Sequence, residues 1–388
     1  MARIVLGGFL SICWLALAVI LLPTSARAIE TKAEIALLVD FDTGSVLFEK
    51  NADTLFPPAS LAKLMTIELL FQALKSGKIT LDQEYPVSEY AWRTGGAPSR
   101  TSSMYAPIHS RVKVSDLIQG IAVQSANDGA LIFAEGFGGT EAQFVRLMNE
   151  RARELGLSKT TFGNPTGLPH PDNRVSARDL AKLAVHIVRE YPEQYKVYAQ
   201  REFTYNAIRQ FNRNPLLNDG IGADGMKTGF IKESGYNLVG SALQNGQRLV
   251  LVLGGAKTEK DRGEEGRKLL DWGFKTFEVV TLFDGRSTVI EPRVVGGTAP
   301  SVRLVTHEPV KLFSERGGRE KLRAEVRMRG PLRAPIAADQ KLGEVRIYRG
   351  STQVGAAPVH AADAVEQGTL LQRALEGAKA RLYSMLGI

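Results

Sequence analysis

The sequence predicts an α+β protein: a cluster of helices on a five-stranded antiparallel sheet, then a small all-β sandwich and a C-terminal amphipathic helix. Three observations predict this class. Strand-like patterns in the first 283 residues gather in residues 34–49 and 222–254, the chain between them carries mostly helical apolar spacing, and from Phe283 onward short alternating segments are separated by Gly and Pro. Chain ends that build a sheet around a helical middle imply layered α+β packing.

The chain opens on a processing segment. Arg3 gives a positive start, Ile4 to Leu22 an apolar run, and Ala26-Arg27-Ala28 a small-residue cleavage site. Residues 1–28 therefore read as a signal peptide, with Ile29 as the mature N-terminus; the length of the run also fits an uncleaved anchor. Either way the protein is exported. Cys13, the only cysteine, lies in this segment behind a bulky Ile12 that argues against lipidation, so the mature chain has no thiol for disulfides.

Residues 29–283 read as a catalytic domain, 284–367 as a β-rich domain and 368–388 as the terminal helix. The first holds 30 Lys+Arg against 30 Asp+Glu, and residues 284–388 hold 17 against 11, so the mature excess of positive charge is entirely C-terminal. Such a balance suits nucleic acid, an anionic membrane surface or acidic wall polymers, and export removes nucleic acid.

Taken in order, strands are expected at Ile35 to Phe41 and Ser45 to Glu49 around Asp42-Thr43-Gly44. Helices are expected from Ser60 to Leu74, Val114 to Phe137, Glu141 to Leu155 and Ala177 to Tyr191. Three more strands, from Lys227 to Ile231, Gly235 to Leu243 and Arg248 to Gly254, follow, the last two joined by Asn245-Gly246 in a hairpin turn. A helix from Glu264 to Phe274 closes the domain. Beyond Phe283, Lys321 to Arg329 and Gly343 to Arg349 read as strands. In the tail Leu371, Leu375, Ala378, Leu382 and Met385 share a helix face, with Arg373, Lys379 and Arg381 on the rest. This basic amphipathic helix suits a membrane surface, or else docks on its own domain.

Three short motifs carry the chemistry: Ser60-Leu61-Ala62-Lys63, Ser125-Ala126-Asn127 and Lys227-Thr228-Gly229. A Ser-x-x-Lys alone is weak, since roughly one arises by chance in a chain this long. Ser110-Arg111-Val112-Lys113 is such a decoy, lying in a loop-like stretch. Pro57-Pro58-Ala59 before Ser60 fits a helix that starts at the serine, which puts Lys63 on the same face. A serine hydroxyl needs a neighbouring base, and a lysine serves only when neutral, as burial or a nearby cation such as Lys227 makes it.

The other residues complete an acyl-transfer site. Ser60 N–H at the helix start and Phe230 N–H are candidate oxyanion donors. Gly229, lacking a side chain, lets an extended peptide lie against its strand. Lys227 and Thr228 offer a cation and a hydroxyl to a terminal carboxylate, while Ser125 and Asn127 bridge proton transfer. Each has a bland reading: Ser125 as a helix cap, Asn127 as a turn residue, Lys227 as a solvated strand lysine. Together, in this order, they read as a site. The five histidines lack ligand spacing with one another and no Gly-rich phosphate loop occurs, so neither metal nor cofactor is expected.

Residues 30–388 resemble the low-molecular-mass penicillin-binding proteins that are serine-type D-alanyl-D-alanine carboxypeptidases. Beyond the three motifs, Gly163-Asn164-Pro165-Thr166-Gly167-Leu168, Val175-Ser176-Ala177-Arg178-Asp179-Leu180, Gly235-Tyr236-Asn237 and Gly254-Gly255-Ala256-Lys257-Thr258 look like family stretches. The resemblance implies cleavage of the terminal D-Ala from peptidoglycan stem pentapeptides through an acyl-enzyme on Ser60, β-lactams as covalent inhibitors, and a periplasmic position on the inner membrane. It also implies that Arg262 stands near the carboxylate end of the site, the bland alternative being a solvated helix-start arginine. Ile231 replaces a commoner Thr, which removes no needed group. Rival readings are a D,D-endopeptidase, a class A-like β-lactamase using Glu202 to Asn206, and a non-enzymatic envelope scaffold.

Overall fold

The computed structural model describes residues 29–317, 322–370 and 373. The expected signal peptide, residues 1–28, and the expected tail helix, apart from residues 368–370 and 373, lie outside the described residues. The central sheet contains β1 (Ile35–Asp40), β2 (Val46–Lys50), β3 (Ala223–Ile231), β4 (Gly235–Gln244) and β5 (Gln247–Ala256). All pairings are antiparallel, in the order β2-β1-β5-β4-β3. The β4–β5 turn is Asn245-Gly246, both with positive φ (49° and 78°), as a two-residue turn of matching twist requires.

The inner strands β1, β5 and β4 are buried on both faces, so they read as near-continuous apolar runs rather than simple alternations, while the edge strand β2 is exposed or half-buried throughout. Leu37, Val39, Val250 and Val252 belong to the core beneath the helical cluster. Leu38, Leu249 and Leu251 face the helix Glu259–Thr276, whose Gly266 and Gly273 lie one above the other on its inner side. A Cβ on Gly273 would stand 2.7 Å from Leu249 and 2.8 Å from Leu38, so glycine permits that close approach. This helix starts five residues earlier than its apolar pattern, because Thr258 Oγ1 accepts the Asp261 N–H at 3.0 Å and caps it.

The helical cluster contains Lys63–Lys75, Glu141–Glu154 and Ala177–Glu190 close to their expected limits. The single helix expected from Val114 to Phe137 is broken. An α-helical turn over Val114–Gln119 widens through Gly120–Gln124, Ser125 takes a left-handed conformation (φ 65°), and a new helix runs from Asn127 to Gly138. Both pieces are buried on their inner sides, so apolar periodicity runs through the break unmarked. The decoy motif lies on the short strand Arg111–Lys113, and Glu202 lies exposed on the hairpin Glu202–Tyr205/Ile208–Phe211, paired with Arg209.

The second domain begins as soon as the Glu259–Thr276 helix ends. Phe277–Phe283, assigned to the catalytic domain by composition, pairs with Val310–Glu315 of the C-terminal part. A five-stranded sheet and short two-stranded pairs enclose a core that includes Val294, Leu304, Val345, Ile347 and Val359. An edge-to-face stack of Phe48, Trp272 and Phe277, extended to Phe313, ties the two domains, and Lys311 bonds Asp42 at 2.7 Å.

Candidate active site

Ser60 does not open the α-helix directly. It lies in a 3-10 turn, Ala59–Ala62, preceded by Pro58 and strained at Ala59 (φ 49°), and the α-helix starts at Lys63. The turn still brings serine and lysine together: Lys63 Nζ stands 3.1 Å from Ser60 Oγ. The helix behind them is buried nearly all round, so the amine is sealed from water. Burial, and next the Arg213 guanidinium, lower its pKa to about 7. Its other partner is the Thr166 carbonyl, which accepts from Nζ at 2.5 Å.

Thr166 is held by a strap, residues 163–168, whose fold is dictated by its own side chains. Asn164 Oδ1 accepts from Gly167 N and Thr166 Oγ1, while Thr66 Oγ1 donates to the Pro165 carbonyl. Gly167 has φ 76°, and a Cβ there would stand 1.7 Å from the Ala59 oxygen, so the strap presses directly on the serine turn. The sequence signal for this is the stretch Gly163 to Leu168, which carries a family resemblance but no chemical motif of its own.

The broken helix delivers the second motif. Ser125 ends one piece and Asn127 starts the next; Ser125 Oγ and Asn127 Oδ1 are buried without protein partners, while Asn127 Nδ2 donates to Thr101 Oγ1 at 2.9 Å. Asp128, absent from the expected set, holds the adjoining loop by accepting from Ser103 Oγ, Met104 N and Ala106 N at 2.7, 2.9 and 3.2 Å. That loop carries Arg100, Thr101 and Ser102 to the cleft.

The third motif lies on the edge strand β3. Its free edge meets the serine turn, and a Cβ on Gly229 would stand 3.0 Å from the Pro58 oxygen and 3.1 Å from Ser60 N. Lys227 is buried and donates to the Thr228 carbonyl at 3.0 Å. Burial above all, then Lys63, Arg213 and Arg262, hold its amine well below the usual lysine range. Phe230 is half exposed, its ring 4.3 Å from Tyr236. Arg262 is buried; it bonds Glu259 at 2.7 Å and lies 5.6 Å from the Tyr236 ring, with Nε unpartnered. The solvated reading of Arg262 therefore fails.

These side chains share one cleft of about 470 Å³, with walls that include Ser60, Ser125, Asn127, Thr228, Arg213 and Arg262. Sequence reasoning missed Arg213, which sits in the polar stretch Asn212 to Asn214 and bonds Ser102 at 2.7 Å. Among the described residues Glu259 is the only carboxylate on the walls, and Glu202 lies elsewhere, so the β-lactamase reading finds no general base there. A larger cavity, about 1030 Å³, lies over the helices; it shares Leu168 with the cleft and holds none of the three motifs. Among the described residues no group of three His, Cys, Asp or Glu side chains could hold a metal ion.

Comparison with known proteins agrees with this geometry. The model of the D-alanyl-D-alanine carboxypeptidase family matches residues 23–258, and that of the penicillin-binding protein 5 C-terminal domain matches residues 277–367. The D-alanyl-D-alanine carboxypeptidase DacC of Escherichia coli (strain K12) is 38% identical over 354 residues, 90% of this chain and 88% of that protein. The crystal structure of penicillin-binding protein 5 from Haemophilus influenzae superposes with a TM-score of 0.81 at 35% identity, covering 88% of this chain and all of that one. Penicillin-binding protein D2 from Listeria monocytogenes, in its ampicillin-bound form, superposes at 0.56 and 29% identity, covering 64% of this chain and 99% of that one. By motif, fold and kinship, the chain belongs to the D-alanyl-D-alanine carboxypeptidase family of serine peptidases.

Proposed function

We propose that this protein is a serine D-alanyl-D-alanine carboxypeptidase that removes the terminal D-Ala from peptidoglycan stem pentapeptides. One observation carries the reading: a buried lysine amine, near neutral pKa, lies 3.1 Å from a serine hydroxyl at the mouth of a cationic cleft. Lys63 takes the Ser60 proton as Oγ attacks the scissile carbonyl carbon. The oxyanion is held by Ser60 N–H and Phe230 N–H, and Ser125 Oγ relays the proton from Lys63 to the departing D-Ala nitrogen, with Asn127 beside it on the cleft wall as a hydrogen-bonding group. Water then attacks the ester carbonyl carbon as Lys63 takes its proton, and Ser60 Oγ leaves with that proton returned from Lys63. Every atom balances with water as sole co-reactant.

Lys227, Thr228 and Arg262 are the groups for the substrate carboxylate, which selects chain ends over internal bonds. Gly229 lets the peptide lie along β3 as an added strand. A β-lactam presents a strained amide and a carboxylate to the same groups, so it acylates Ser60. The apolar start and cleavage site of residues 1–28 support export, and the Leu face of residues 368–388 supports attachment to the periplasmic face of the inner membrane.

The test is direct. The mature chain is incubated with a stem pentapeptide and with a cross-linked dimer, and released D-Ala and monomer are measured. D-Ala from the pentapeptide, lost in Ser60→Ala together with fluorescent-penicillin labelling, is the expected result. Dominant monomer release would make it an endopeptidase, and wild type that neither labels nor turns over would make it a scaffold.

A further inference from the structure

The second domain carries a basic hollow that the peptidase chemistry leaves unused. It lies at the end of the edge strand Leu322–Met328, which pairs with Lys341–Arg349 in the register Arg327↔Glu344 and Met328↔Gly343. The hollow has a volume of about 650 Å³, and Arg327, Arg329, Lys341 and Arg346 surround a floor that includes Met328 and Leu332. Strand alternation explains the segregation: Val345 is in the core, so Arg327 and Glu344, one residue out of phase, face solvent. A Cβ on Gly343 would stand 2.4 Å from the Arg327 carbonyl oxygen, so glycine lets the strands close here and keeps the floor free of a side chain.

The charges are not balanced internally. Arg346 is neutralised by Glu344 at 2.5 Å. Arg327, Arg329 and Lys341 have no carboxylate within ion-pair distance among the described residues. Three like charges around a concave surface repel one another until an anion joins them, and guanidinium forks match the oxygens of a phosphate.

The hollow also lies close to the place where the chain leaves the domain. Leu332 belongs to the short strand Leu332–Arg333, which runs beside Val294–Val295 with Val295 opposite Arg333. The next residue, Gly296, accepts the Gly368 N–H at 2.9 Å, and Gly297 bridges Gln367. Val295 is 46% exposed and Leu370 79% exposed, so unpaired cations and bare apolar side chains come together at one end of the domain. That combination suits a phospholipid surface better than a soluble phosphate polymer, which offers nothing to the apolar residues.

We propose that this hollow binds the phosphate of an anionic phospholipid, giving the β domain its own contact with the membrane surface. The inference rests on the proposed membrane location and adds a contact separate from the terminal helix. Each cation near an anionic surface strengthens binding about fivefold, so three together amount to roughly a hundredfold.

The full mature chain, wild type and Arg327→Gln/Arg329→Gln/Lys341→Gln, is partitioned onto vesicles of phosphatidylcholine with or without phosphatidylglycerol. The triple variant is expected to bind the anionic vesicles roughly a hundredfold less at low salt and the neutral ones equally, with the difference closing at high salt. Fluorescent-penicillin labelling and the thermal melt check its fold, and Arg327→Gln alone, expected to lose about fivefold, serves if the triple is damaged. Wild-type binding by both folded variants overturns the proposal. A tail variant, Leu375→Gln/Leu382→Gln, keeps the two readings apart. If it loses neutral-vesicle binding but keeps a salt-sensitive affinity for anionic vesicles that adding Arg327→Gln/Arg329→Gln/Lys341→Gln abolishes, the hollow is supported; if that affinity survives the addition, it belongs to the tail cations and the hollow is overturned. If it loses all binding while the triple variant loses none, the tail alone binds and the hollow does not. If a soluble poly(glycerol phosphate) displaces wild type from vesicles at equal phosphate concentration, the lipid assignment is overturned in favour of the polymer.

Discussion

Gly229 and Ser60 are in backbone contact: a methyl group on the Gly229 α-carbon would stand 3.1 Å from the Ser60 nitrogen. Two elements more than 160 residues apart in sequence thus share one wall of the cleft, and the nucleophile's N–H is set by how closely β3 approaches. Gly229→Ala should push the strand back by a few tenths of an ångström without unfolding the sheet. We expect a stability loss of about 1 kcal/mol and a penicillin acylation rate lowered by roughly tenfold or more, as misplaced oxyanion donors cost. Thermal melts and stopped-time labelling measure the two, and unchanged acylation would show that the contact does not set the donor.

The pH dependence follows from Lys63. Its amine, lowered to about 7 by burial and then Arg213, is a base only when unprotonated, so acylation should rise with pH through about 7 and then level off. Asp128 opposes that lowering, since its negative charge favours the protonated amine. Asp128→Asn should therefore move the rising limb to lower pH. The same change turns one of the two carboxylate oxygens into an NH2 donor, so either Ser103 and Ala106, which share Oδ2, or Met104, on Oδ1, lose their acceptor, and the plateau rate should fall as well. A limb that stays in place or moves up would remove Asp128 from the electrostatics of the site.

Glu68 makes a prediction about stability alone. Its side chain is fully buried one turn beyond Lys63, and Oε1 accepts from Arg151 Nε and Nη2 and from Tyr191 OH at 2.8–2.9 Å. Burial pushes this carboxyl up, but the bonds from His186, Arg151 and Tyr191 outweigh it and hold the group below its ordinary range. Glu68→Gln removes the buried counter-charge of Arg151 and leaves it only the exposed Glu154, 2.8 Å from Nη1, so it should cost about 3 kcal/mol. A depressed carboxyl stabilises above its unfolded pKa and loses that contribution as pH falls through the folded one. The difference between wild type and Glu68→Gln should thus be full at neutral pH and shrink in acid; thermal melts at both values decide it.

The parts of this molecule that were legible in the sequence are those set by local rules. Asn245-Gly246 fixed a hairpin, and Pro58 before Ser60 marked a helix entry close to the observed one. What periodicity could not see was the break at Ser125, because the flanking pieces bury the same kinds of residue and only a positive φ separates them. Thr166 was invisible for another reason: it serves through its backbone carbonyl, which any residue could offer, and the information lies in Asn164 and Gly167 that shape the strap. Arg213 reaches the cleft from a loop with no pattern of its own. The domain boundary fell at residue 276 rather than 283 because Phe277–Phe283 alternates no differently from strands on either side, and only its partner, Val310–Glu315, places it.

Arg262 gives the sharpest test of substrate recognition. Lys227, the obvious cation of its motif, is buried beside Lys63, Arg213 and Arg262, which together with burial drive its amine toward the neutral form. A guanidinium does not deprotonate in this way, so in the proposed reaction the lasting charge for a substrate carboxylate would come from the arginines. The surroundings of Arg262 suit it to that role, because Glu259 and the Tyr236 face hold its plane, its side chain is buried, and its Nε has no protein partner. Arg262→Gln keeps a donor but loses the charge and the fork. We expect kcat/KM for a pentapeptide ending in a free carboxylate to fall on the order of a hundredfold, as loss of a buried charged hydrogen bond implies. The same substrate with a C-terminal amide should be cleaved poorly by wild type and hardly worse by the variant, so the ratio between acid and amide collapses. If the ratio survives the substitution, the carboxylate is read by Arg213 and Thr228, and Arg262 serves only to hold Tyr236 and Phe230 at the edge of the cleft.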